Sequence, residues 1–584
     1  MPKNNLILMH APSVFDFRER STLWGPISDL VPSKPVFEMY PIGFTTIAEY
    51  LERHGHRVRI INLAARMLLD NDFDVDEFIG SLNTASFGID LHWLPHAHGS
   101  LELAYRIKRE HPAAPVIFGG ISSSYFHEDL ITLPQVDYVL RGDSTEEPLR
   151  QLIESIETGE KPADLQKIPN LTWKDKKGFP RINPLSHVPD NLDYISIDYS
   201  HSVKTVVRDL SLKNILPFTN WLKYPITAVL TCRGCTHNCA ICGGSSYTFR
   251  NFLGREKPAF RNPESLARDI RRISSFSRGP VFVVGDIRQA GMGYAKTFLN
   301  CLQGIKKPVI FEFFRPVDRQ FMEMVAGSTR NFFVQLSPES HDQNVRQYTN
   351  NPFVGNSIQT SIEHILSVGC KRIDVFFMTG LPGQTYNSVL GSIEYSNQLM
   401  EYFDGDPRLI FYISPLAPFL DPGSPAFEKP LKYGYKKFCH SLDDHRRALL
   451  APSWKYVLSY ETRWMSRNDI VSSTYQAALL LNKNKLNFGH IKNEKAMLTE
   501  ERIHRAIELM KYIDKLVATE DPQVINIMLS KLRPQIDEVN DSTVCEKEDL
   551  HLPVGRRPVR IMRSFGLVAG DSVKRLLRSN PVQS

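Results

Sequence analysis

Two successive series of alternating strand and helix patterns constrain the fold of this 584-residue chain more than any other feature of its sequence. Strands that alternate with helices at this spacing indicate parallel sheets covered by helices. The first series occupies about the first 155 residues, and the second begins near residue 226 and ends near residue 413. We therefore predict an α/β protein in which two such units follow one another.

The first series predicts a Rossmann-like, doubly wound parallel sheet. Ligands of such sheets bind at the carboxyl ends of the strands, and glycine there allows close approach of the backbone to a ligand. A glycine pair is equally compatible with a tight strand-to-helix turn. The predicted strand ends carry His10, Ser13, Gly119, Gly120 and Gly142. The predicted strands are Asn5–Met9, Arg57–Leu63, Ser86–Leu91, Pro115–Phe118 and Asp137–Leu140.

The second series predicts a partial (β/α)6 barrel, because six strand patterns recur with helical patterns between them. In barrels of this kind the functional groups lie on the loops that follow the strands. The predicted strands are Ile226–Leu230, Val281–Val284, Val309–Phe313, Phe332–Leu336, Arg372–Phe377 and Leu409–Ile413.

Three cysteines lie on the loop after the first of these six strands. Cys235, Cys239 and Cys242 have the spacing Cys-x3-Cys-x2-Cys. Soft thiolates favour iron–sulfur clusters, zinc or copper(I). A [4Fe–4S] cluster normally takes four cysteines, so three would leave one iron open, and an open position is typical of catalytic metal sites. We predict these three cysteines as catalytic and metal-binding residues.

Other interpretations of the cysteines fit less well. Together with Cys232 they read Cys-x2-Cys-x3-Cys-x2-Cys, and the central spacing is too short for two zinc knuckles. The order also differs from that of a bacterial ferredoxin. We therefore expect Cys232 to be a small buried residue at a strand end, since free cysteine packs like a small apolar side chain.

The cysteine stretch resembles the cluster loop of the radical S-adenosylmethionine (SAM) enzymes. In that family the open iron binds SAM, and one electron cleaves SAM to a 5′-deoxyadenosyl radical. The resemblance implies a [4Fe–4S] cluster, SAM and a one-electron donor such as ferredoxin or flavodoxin. It also implies an oxygen-sensitive protein.

Further barrel strand ends resemble the SAM-binding parts of the same family. The resemblance implies that SAM contacts Gly285 and Asp286 after the second strand, and Glu339 and Arg346 after the fourth. Gly380 and Pro382 lie in Gly-Leu-Pro-Gly-Gln-Thr after the fifth strand, and the resemblance implies that this loop supports the adenine side of SAM. Asp286 and Glu339 could each also be a solvated charge or a helix cap.

A Rossmann-like domain directly before the cluster loop resembles the cobalamin-binding subfamily of radical SAM enzymes. The resemblance implies that cobalamin lies near a set of strand-end residues in the first domain. The familiar signature Asp-x-His-x-x-Gly is absent, because Pro95 stands three residues after His92. We therefore expect no histidine ligand on the cobalt. The implied cobalamin-binding residues are His10, Ser13, Gly43, Gly119, Gly120 and Gly142.

We divide the chain into a cobalamin-binding domain at 1–160, a connector at 161–215, a radical SAM barrel at 216–430 and a helical region at 431–584. A hairpin is predicted within the connector, around Lys177-Gly178. Helical patterns in the last region include Tyr435–Asp443, Ile470–Leu481 and Ala496–Ala518. Its basic tail would suit either a peripheral contact with anionic lipid or the solvated face of a docked helix. The tail's basic residues are Arg556, Arg557, Arg560, Arg563, Lys574, Arg575 and Arg578.

The resemblance implies a cobalamin-dependent methyltransferase, or an enzyme of related carbon–carbon bond formation, acting at an unactivated carbon of a small molecule or lipid. Two alternatives are a radical SAM enzyme that does not use cobalamin in turnover and an RNA-modifying, methylthiotransferase-like enzyme. The latter type has extra cysteines in its first domain, whereas residues 1–231 contain none. The net charge of +6 is small, so no nucleic acid is expected. Without a signal-like start or a long apolar run, we expect a cytoplasmic protein.

Overall fold

The protein is described here from a computed structural model that covers residues 4–29, 34–159, 161–197, 199, 216–416 and 418–552. One connected cluster of buried apolar side chains extends from the first sheet through the barrel into the C-terminal helices. A second cluster, which includes Leu8, Phe44, Ile60 and Leu140, covers the opposite face of the first sheet. Both faces of that sheet are therefore buried, as parallel sheets require.

The strands of the first sheet are β1 Asn4–His10, β2 Val58–Asn62, β3 Thr84–Asp90, β4 Val116–Gly119, β5 Tyr138–Leu140, β6 Leu171–Lys174 and β7 Pro180–Ile182. Their order is β2-β1-β3-β4-β5-β6-β7. The first five pair in parallel, which confirms the predicted doubly wound sheet. Because β2 and β3 lie on opposite sides of β1, the topological switch point lies between β1 and β3, where ligands of such sheets bind.

Helices cover both faces of this sheet. In the first of them, Phe44, Ala48 and Leu51 are buried at a spacing that places them on one helical face. The helices of this part are Ile42–Arg53, Leu63–Leu69, Val75–Gly80, Ala97–Glu110, Ile121–Tyr125, His127–Thr132, Glu146–Glu157 and Pro162–Leu165.

The predicted hairpin extends the sheet beyond β5. The strands β6 and β7 are antiparallel to each other, and β6 is antiparallel to β5. Gly178 in the connecting turn has φ +82°, a conformation that glycine adopts without steric cost. Leu171 and Trp173 of β6 are buried, so part of the segment expected as a connector completes the first domain's core.

The second domain is built on β8 Thr227–Leu230, β9 Cys232–Arg233, β10 Ala259–Phe260, β11 Val281–Val284, β12 Val309–Phe313, β13 Phe332–Glu339, β14 Ile373–Thr379 and β15 Leu409–Pro415. Six of these strands form a parallel sheet in the order β15-β14-β13-β12-β11-β8, which confirms the partial barrel. The strands β9 and β10 form a short antiparallel pair beside it. Helices of the barrel are Ser246–Phe252, Pro263–Phe276, Met292–Leu302, Arg319–Ser328, Gln343–Thr349, Ser357–Ser367 and Tyr386–Tyr402.

The C-terminal region is mainly helical, as predicted. Its α-helices are Pro425–Glu428, Leu442–Ala448, Trp454–Val457, Arg467–Asn487, Asn493–Thr519, Pro522–Lys531 and Arg533–Asp541. The prediction of a helix at Tyr435–Asp443 is wrong. Tyr435–Lys437 is a strand, β16, that pairs with β17 Tyr460–Thr462, and the following helix begins only at Leu442, after a capping box formed by Ser441 and Asp444.

The basic tail predicted for lipid or solvent contact lies outside the described residues. Within the described parts of the chain, none of the helices combines the length and the apolar character needed to cross a bilayer.

Candidate active site

One cavity of about 640 Å³ is lined by residues from the carboxyl ends of both parallel sheets. One wall comes from the first domain and the other from the loops that follow the barrel strands, and apolar side chains form much of both. The cavity therefore brings together the two groups of site residues that the sequence placed in separate domains. The predicted site residues that line it are Cys235, Cys239, Cys242, Gly285, Glu339, Gly43, Gly119, Gly120 and Gly142.

The loop that carries the three cysteines is anchored to later barrel loops. The backbone N–H of Ala240 donates to the carbonyl of Thr349 at 2.9 Å. The N–H of Gly243 donates to a carboxylate oxygen of Asp421 at 2.9 Å. These contacts connect the cysteine loop to the loops that follow β13 and β15. Local sequence spacing thus positions the thiols relative to each other, and the barrel positions them in the cavity.

Surroundings of low polarity keep the thiols protonated when no metal is bound. Burial, with a smaller effect from Glu339, raises the pKa of Cys239 to about 12. Burial and the nearby Asp421 hold the pKa of Cys242 well above its usual range. Cys242 is accessible to solvent, and it lines the cavity. Metal binding must therefore displace protons from these thiols.

The three thiols are soft donors of the kind that bind an iron–sulfur cluster. Among the described residues, no three His, Cys, Asp or Glu side chains converge closely enough to hold one ion. In an iron–sulfur cluster the cysteine thiolates bind the irons of one larger unit, so they need not meet at a point. Three soft donors on one wall of the cavity fit a [4Fe–4S] cluster.

Glu312 on the barrel side of the cavity is a residue that the sequence analysis missed. It is the fourth residue of β12, and it lines the cavity. Burial raises the pKa of its carboxyl to about 7, even though the Gly285 N–H donates to it at 3.2 Å. The available signal was a single acidic residue within the apolar strand Val309–Phe313, where a charge is costly without a function or a partner.

Glu339 at the end of β13 has an unusual backbone. Its φ is +66°, in the left-handed region that non-glycine residues rarely adopt. Burial raises the pKa of its carboxyl to about 7, and its Oε2 atom is buried with no hydrogen-bond partner in the part of the chain that the structure describes. Glu312 and Glu339 together give the cavity two carboxyl groups that are suited to a cationic ligand.

Asp286, predicted as a SAM contact, does not line the cavity. Its carboxylate forms an ion pair with Arg288 at 2.6 Å and accepts the N–H of Phe314 at 3.0 Å. It also caps the short helix Ile287–Ala290 through the Arg288 N–H. The structure thus places Asp286 in the helix-cap role that was the alternative interpretation of this residue.

Three further residues predicted near SAM also lie behind the cavity wall. Arg346 is buried and donates to the backbone carbonyls of Phe353 at 2.6 Å and Ser340 at 2.8 Å. Gly380 accepts a hydrogen bond from the hydroxyl of Tyr435 at 3.0 Å. Pro382 is buried beside it. These residues shape the loops of the site without lining the cavity.

The glycines of the first domain leave room at the cavity surface. A Cβ atom at Gly43 or Gly119 would meet no other atom within 4 Å, so a ligand can approach the backbone there. Gly120 and Gly142 have φ +118° and +96°, and their turns require glycine. This open glycine-lined edge at the strand ends fits a large planar ligand such as a corrin.

His10 and Ser13, predicted near cobalamin, are buried beneath this wall and do not line the cavity. His10 lies 2.9 Å from a carboxylate oxygen of Asp90 and 3.1 Å from the carbonyl of Phe37. The hydroxyl of Ser13 has no hydrogen-bond partner among the described residues, but its backbone N–H donates to the carbonyl of Val36 at 2.9 Å and its carbonyl accepts the N–H of Gly99 at 3.1 Å. Both residues therefore hold the segment after β1 in place behind the cavity wall.

Buried ion pairs connect the two walls. Arg233, two residues before Cys235, donates to Glu146 at 2.9 Å and to Ser144 at 3.0 Å. Arg255 donates to Asp143 at 3.0 Å. Burial alone would raise the pKa of Glu146, but Arg233 holds it below its usual value. The cysteine loop and the loop after β5 are thus held together by paired buried charges.

Comparisons with known proteins agree with this arrangement. Residues 30–152 match the family model of the B12 binding domain. Over 291 residues the chain is 26% identical to the hopanoid C-3 methylase of Methylococcus capsulatus. The aligned region covers 49% of this chain and 50% of that protein. The chain thus spans about half the length of the curated relative it matches.

Solved structures of the radical SAM methyltransferase TsrM from Kitasatospora setae have a similar fold. The structure with tryptophan and a SAM analogue bound has a TM-score of 0.55 at 14% identity, and covers 84% of this chain and 90% of that chain. The structure with cobalamin and a [4Fe–4S] cluster bound also has a TM-score of 0.55 at 14% identity. That alignment covers 87% of this chain and 100% of that chain.

The fold and the cavity define an α/β protein in which a domain that matches the B12-binding family model precedes a partial barrel with a three-cysteine loop. The resemblance to cobalamin-binding radical SAM enzymes that the sequence indicated is therefore confirmed.

Proposed function

We propose that the protein is a cobalamin-dependent radical SAM enzyme that transfers a methyl group, or forms a related carbon–carbon bond, at an unactivated carbon. The observation that carries this proposal is the single cavity shared by the three cysteines and the glycine-lined edge of the B12-binding domain. Chemistry that needs both cofactors requires their sites to open into the same space.

The residues around the cavity have distinct roles in this proposal. Bound cofactors supply the radical and methyl-transfer chemistry, while the chain supplies position and exclusion of water. Cys235, Cys239 and Cys242 hold the cluster at the mouth of the barrel. The carboxyls of Glu312 and Glu339 receive the positively charged amino group of SAM. Apolar side chains on both walls keep water away from reactive species.

An apolar lipid is the substrate class that we propose. The cavity walls are rich in apolar side chains such as Phe44, Ile117 and Phe314, and the curated relative is a hopanoid methylase. A hopanoid, or another lipid of similar shape, is therefore the first substrate to test. We further propose a ferredoxin or flavodoxin as the electron donor and a reducing compartment such as the cytoplasm.

The test uses the full chain, reconstituted without oxygen with iron, sulfide and cobalamin. It is incubated with a reductant, lipid extract and SAM that carries a deuterated methyl group. We expect 5′-deoxyadenosine, S-adenosylhomocysteine and a lipid with the labelled methyl group, all detected by mass spectrometry. The Cys239→Ala variant should form none of them.

A different result would favour the alternative function. If SAM is cleaved to 5′-deoxyadenosine although the protein binds no corrin and transfers no label, the methyltransferase proposal fails. The protein would then be a radical SAM enzyme that does not use cobalamin in turnover.

A further inference from the structure

The side chain of Gln289 joins the loop after β11 to the cysteine loop. Its amide oxygen accepts the backbone N–H of Thr236 at 2.9 Å and the hydroxyl of Thr236 at 3.0 Å. The thiol of Cys235 donates to the same oxygen at 3.4 Å. Three donors from two adjacent residues therefore meet at one atom, although more than fifty positions separate them from Gln289 in the chain.

Metal binding affects these three contacts differently. An amide oxygen has two lone pairs, and the two short contacts from Thr236 are enough to fill both. The longer contact comes from the thiol proton of Cys235, which a cysteine must lose before it binds a metal. Loss of that proton leaves the oxygen with two donors for two lone pairs. The Gln289 side chain is thus better matched to the metal-bound form of the loop than to the free form.

The backbone of Gln289 is itself held in place by other barrel residues. Gln289 lies in the short helix Ile287–Ala290, and its N–H donates to the carbonyl of Asp286 at 3.0 Å. The carboxylate of Asp286 pairs with Arg288, whose guanidinium donates to the carbonyl of Arg315 at 2.8 Å. The loops after β11 and β12 are thereby connected, so the Gln289 side chain extends from a fixed base.

The segment that Gln289 anchors presents an N–H group to the sulfur of Cys235. The backbone N–H of His237 donates to that sulfur at 3.3 Å. Because this N–H belongs to the peptide bond between Thr236 and His237, its direction depends on the residue that Gln289 holds. Hydrogen bonds to the sulfurs are among the features that set the reduction potential of an iron–sulfur cluster. An N–H group favours the reduced cluster, since it stabilises the added negative charge.

We propose that Gln289 is a positioning residue that fixes Thr236, keeps the His237 N–H directed at the Cys235 sulfur, and thereby raises the reduction potential of the cluster. This inference rests on the proposed function. Gln289 acts through the loop and is not itself a ligand. A higher potential makes it easier for an electron donor to deliver the one electron that the proposed reaction needs.

The experiment is a redox titration of the full-length protein, reconstituted without oxygen with iron and sulfide and followed by electron paramagnetic resonance of the reduced cluster. Neither SAM nor cobalamin is added, so the measurement does not depend on turnover. We expect a more negative midpoint potential for Gln289→Leu, which cannot accept a hydrogen bond, than for the wild type. Gln320→Leu is the matched control, because Gln320 is exposed on the barrel helix Arg319–Ser328. It should have the wild-type potential.

A second variant removes only part of the contact. Thr236→Val loses the hydroxyl but keeps the N–H that donates to Gln289, so we expect a smaller shift in the same direction. The double variant should show the same shift as Gln289→Leu alone, because the hydroxyl has then already lost its acceptor. Iron and sulfide analysis of each protein gives the cluster content. If Gln289 only stabilised the loop, the content would fall while the remaining clusters kept the wild-type potential.

The results that overturn the inference differ from those that overturn the proposed function. If Gln289→Leu binds a cluster at the wild-type potential, Gln289 does not set the potential, and the proposed function stands. If Gln289→Leu takes up no cluster, a wild-type potential in Thr236→Val overturns the inference in the same way. If the wild-type protein takes up no cluster, the proposed function fails, and the role of Gln289 fails with it.

Discussion

Asp286 follows β11 and Glu312 lies within the neighbouring strand β12, but their surroundings give them different properties. Asp286 is neutralised by Arg288 and accepts two backbone N–H groups, so its hydrogen-bonding capacity is used within the protein. Glu312 accepts one N–H and otherwise lines the cavity. A buried carboxyl with spare capacity binds a cation, whereas one that is already paired stabilises a loop.

We predict that Glu312→Gln weakens SAM binding by roughly 10- to 100-fold, because a charge-assisted hydrogen bond contributes about 1.5–3 kcal/mol. The pKa of Glu312 is about 7 in the free protein, so its carboxyl is protonated below that pH and ionised above it. The Kd of the wild type for SAM should therefore fall as the pH rises from 6 to 8, whereas the variant should show a weaker pH dependence. Anaerobic calorimetry measures both. Equal affinity in the two proteins at pH 8 would contradict this role.

The four cysteines around the loop should respond differently to substitution. Replacing Cys235, Cys239 or Cys242 by Ala should remove the visible absorbance of the reconstituted cluster and abolish SAM cleavage. Cys232 lies in β9, and burial raises its pKa to about 11, so Cys232→Ala should largely preserve both. Iron and sulfide analysis gives the measurement. Loss of the cluster in Cys232→Ala alone would show that the ligand assignment is wrong.

At the residue scale, the sequence could reveal those site residues that lie close together along the chain. The spacing of Cys235, Cys239 and Cys242 is sufficient because all three lie on one short loop. Glu312 could not be assigned in this way. Whether a strand residue lines a cavity depends on the register and order of its neighbouring strands, and neither is encoded within a few residues.

At the scale of elements, the turn between β4 and the following helix depends on its second glycine. Gly120 has φ +118° and lies against the backbone of His92. Gly119→Ala and Gly120→Ala are therefore a matched pair, because each adds one methyl group at adjacent positions of the same turn.

We predict that Gly120→Ala destabilises the protein by at least about 1–3 kcal/mol, because backbone strain costs that much and the added Cβ would also lie 2.6 Å from the Cα of His92. Gly119→Ala should leave the melting temperature near that of the wild type, since its Cβ would meet no atom within 4 Å. It should nevertheless weaken cobalamin binding, because the added methyl group enters the space of the cavity. Scanning calorimetry and equilibrium dialysis separate the two effects. A wild-type melting temperature for Gly120→Ala would show that the turn tolerates a side chain.

Most strands and helices could be predicted because their apolar patterns are regular. The segment at Tyr435–Asp443 was assigned incorrectly because the strand at its start forms only through pairing with β17, more than twenty residues later. Long-range pairing of this kind overrides the local pattern. The capping box at Ser441 was the local signal that the helix begins later.

At the scale of the whole molecule, the two domains are joined by charges that are removed from water. Arg255 and Asp143 are both buried and lie 112 positions apart in the chain. Nothing near either residue in the sequence indicates the other, so domain docking was the part of the fold that the sequence could not predict.

We predict that Arg255→Ala lowers the free energy of unfolding by about 3–5 kcal/mol, because it leaves the Asp143 carboxylate buried without its partner. Arg250→Ala is the matched control on the same segment. Arg250 pairs with Glu256 at 3.3 Å, and both side chains are largely exposed, so its loss should cost about 0–1 kcal/mol. Urea unfolding followed by tryptophan fluorescence gives the comparison. Similar midpoints for the two variants would mean that the buried pair does not hold the domains together.

The pairs formed by Arg233 and Arg255 have a consequence for how the cofactors are taken up. They fix the two walls of the cavity relative to each other, so a molecule bound to one wall becomes part of the surface that the second molecule meets. Binding on the two walls is then thermodynamically reciprocal: the factor by which cobalamin changes the affinity for SAM equals the factor by which SAM changes the affinity for cobalamin. Either order of loading leads to the same complex, and each cofactor raises the affinity for the other when their contact is favourable.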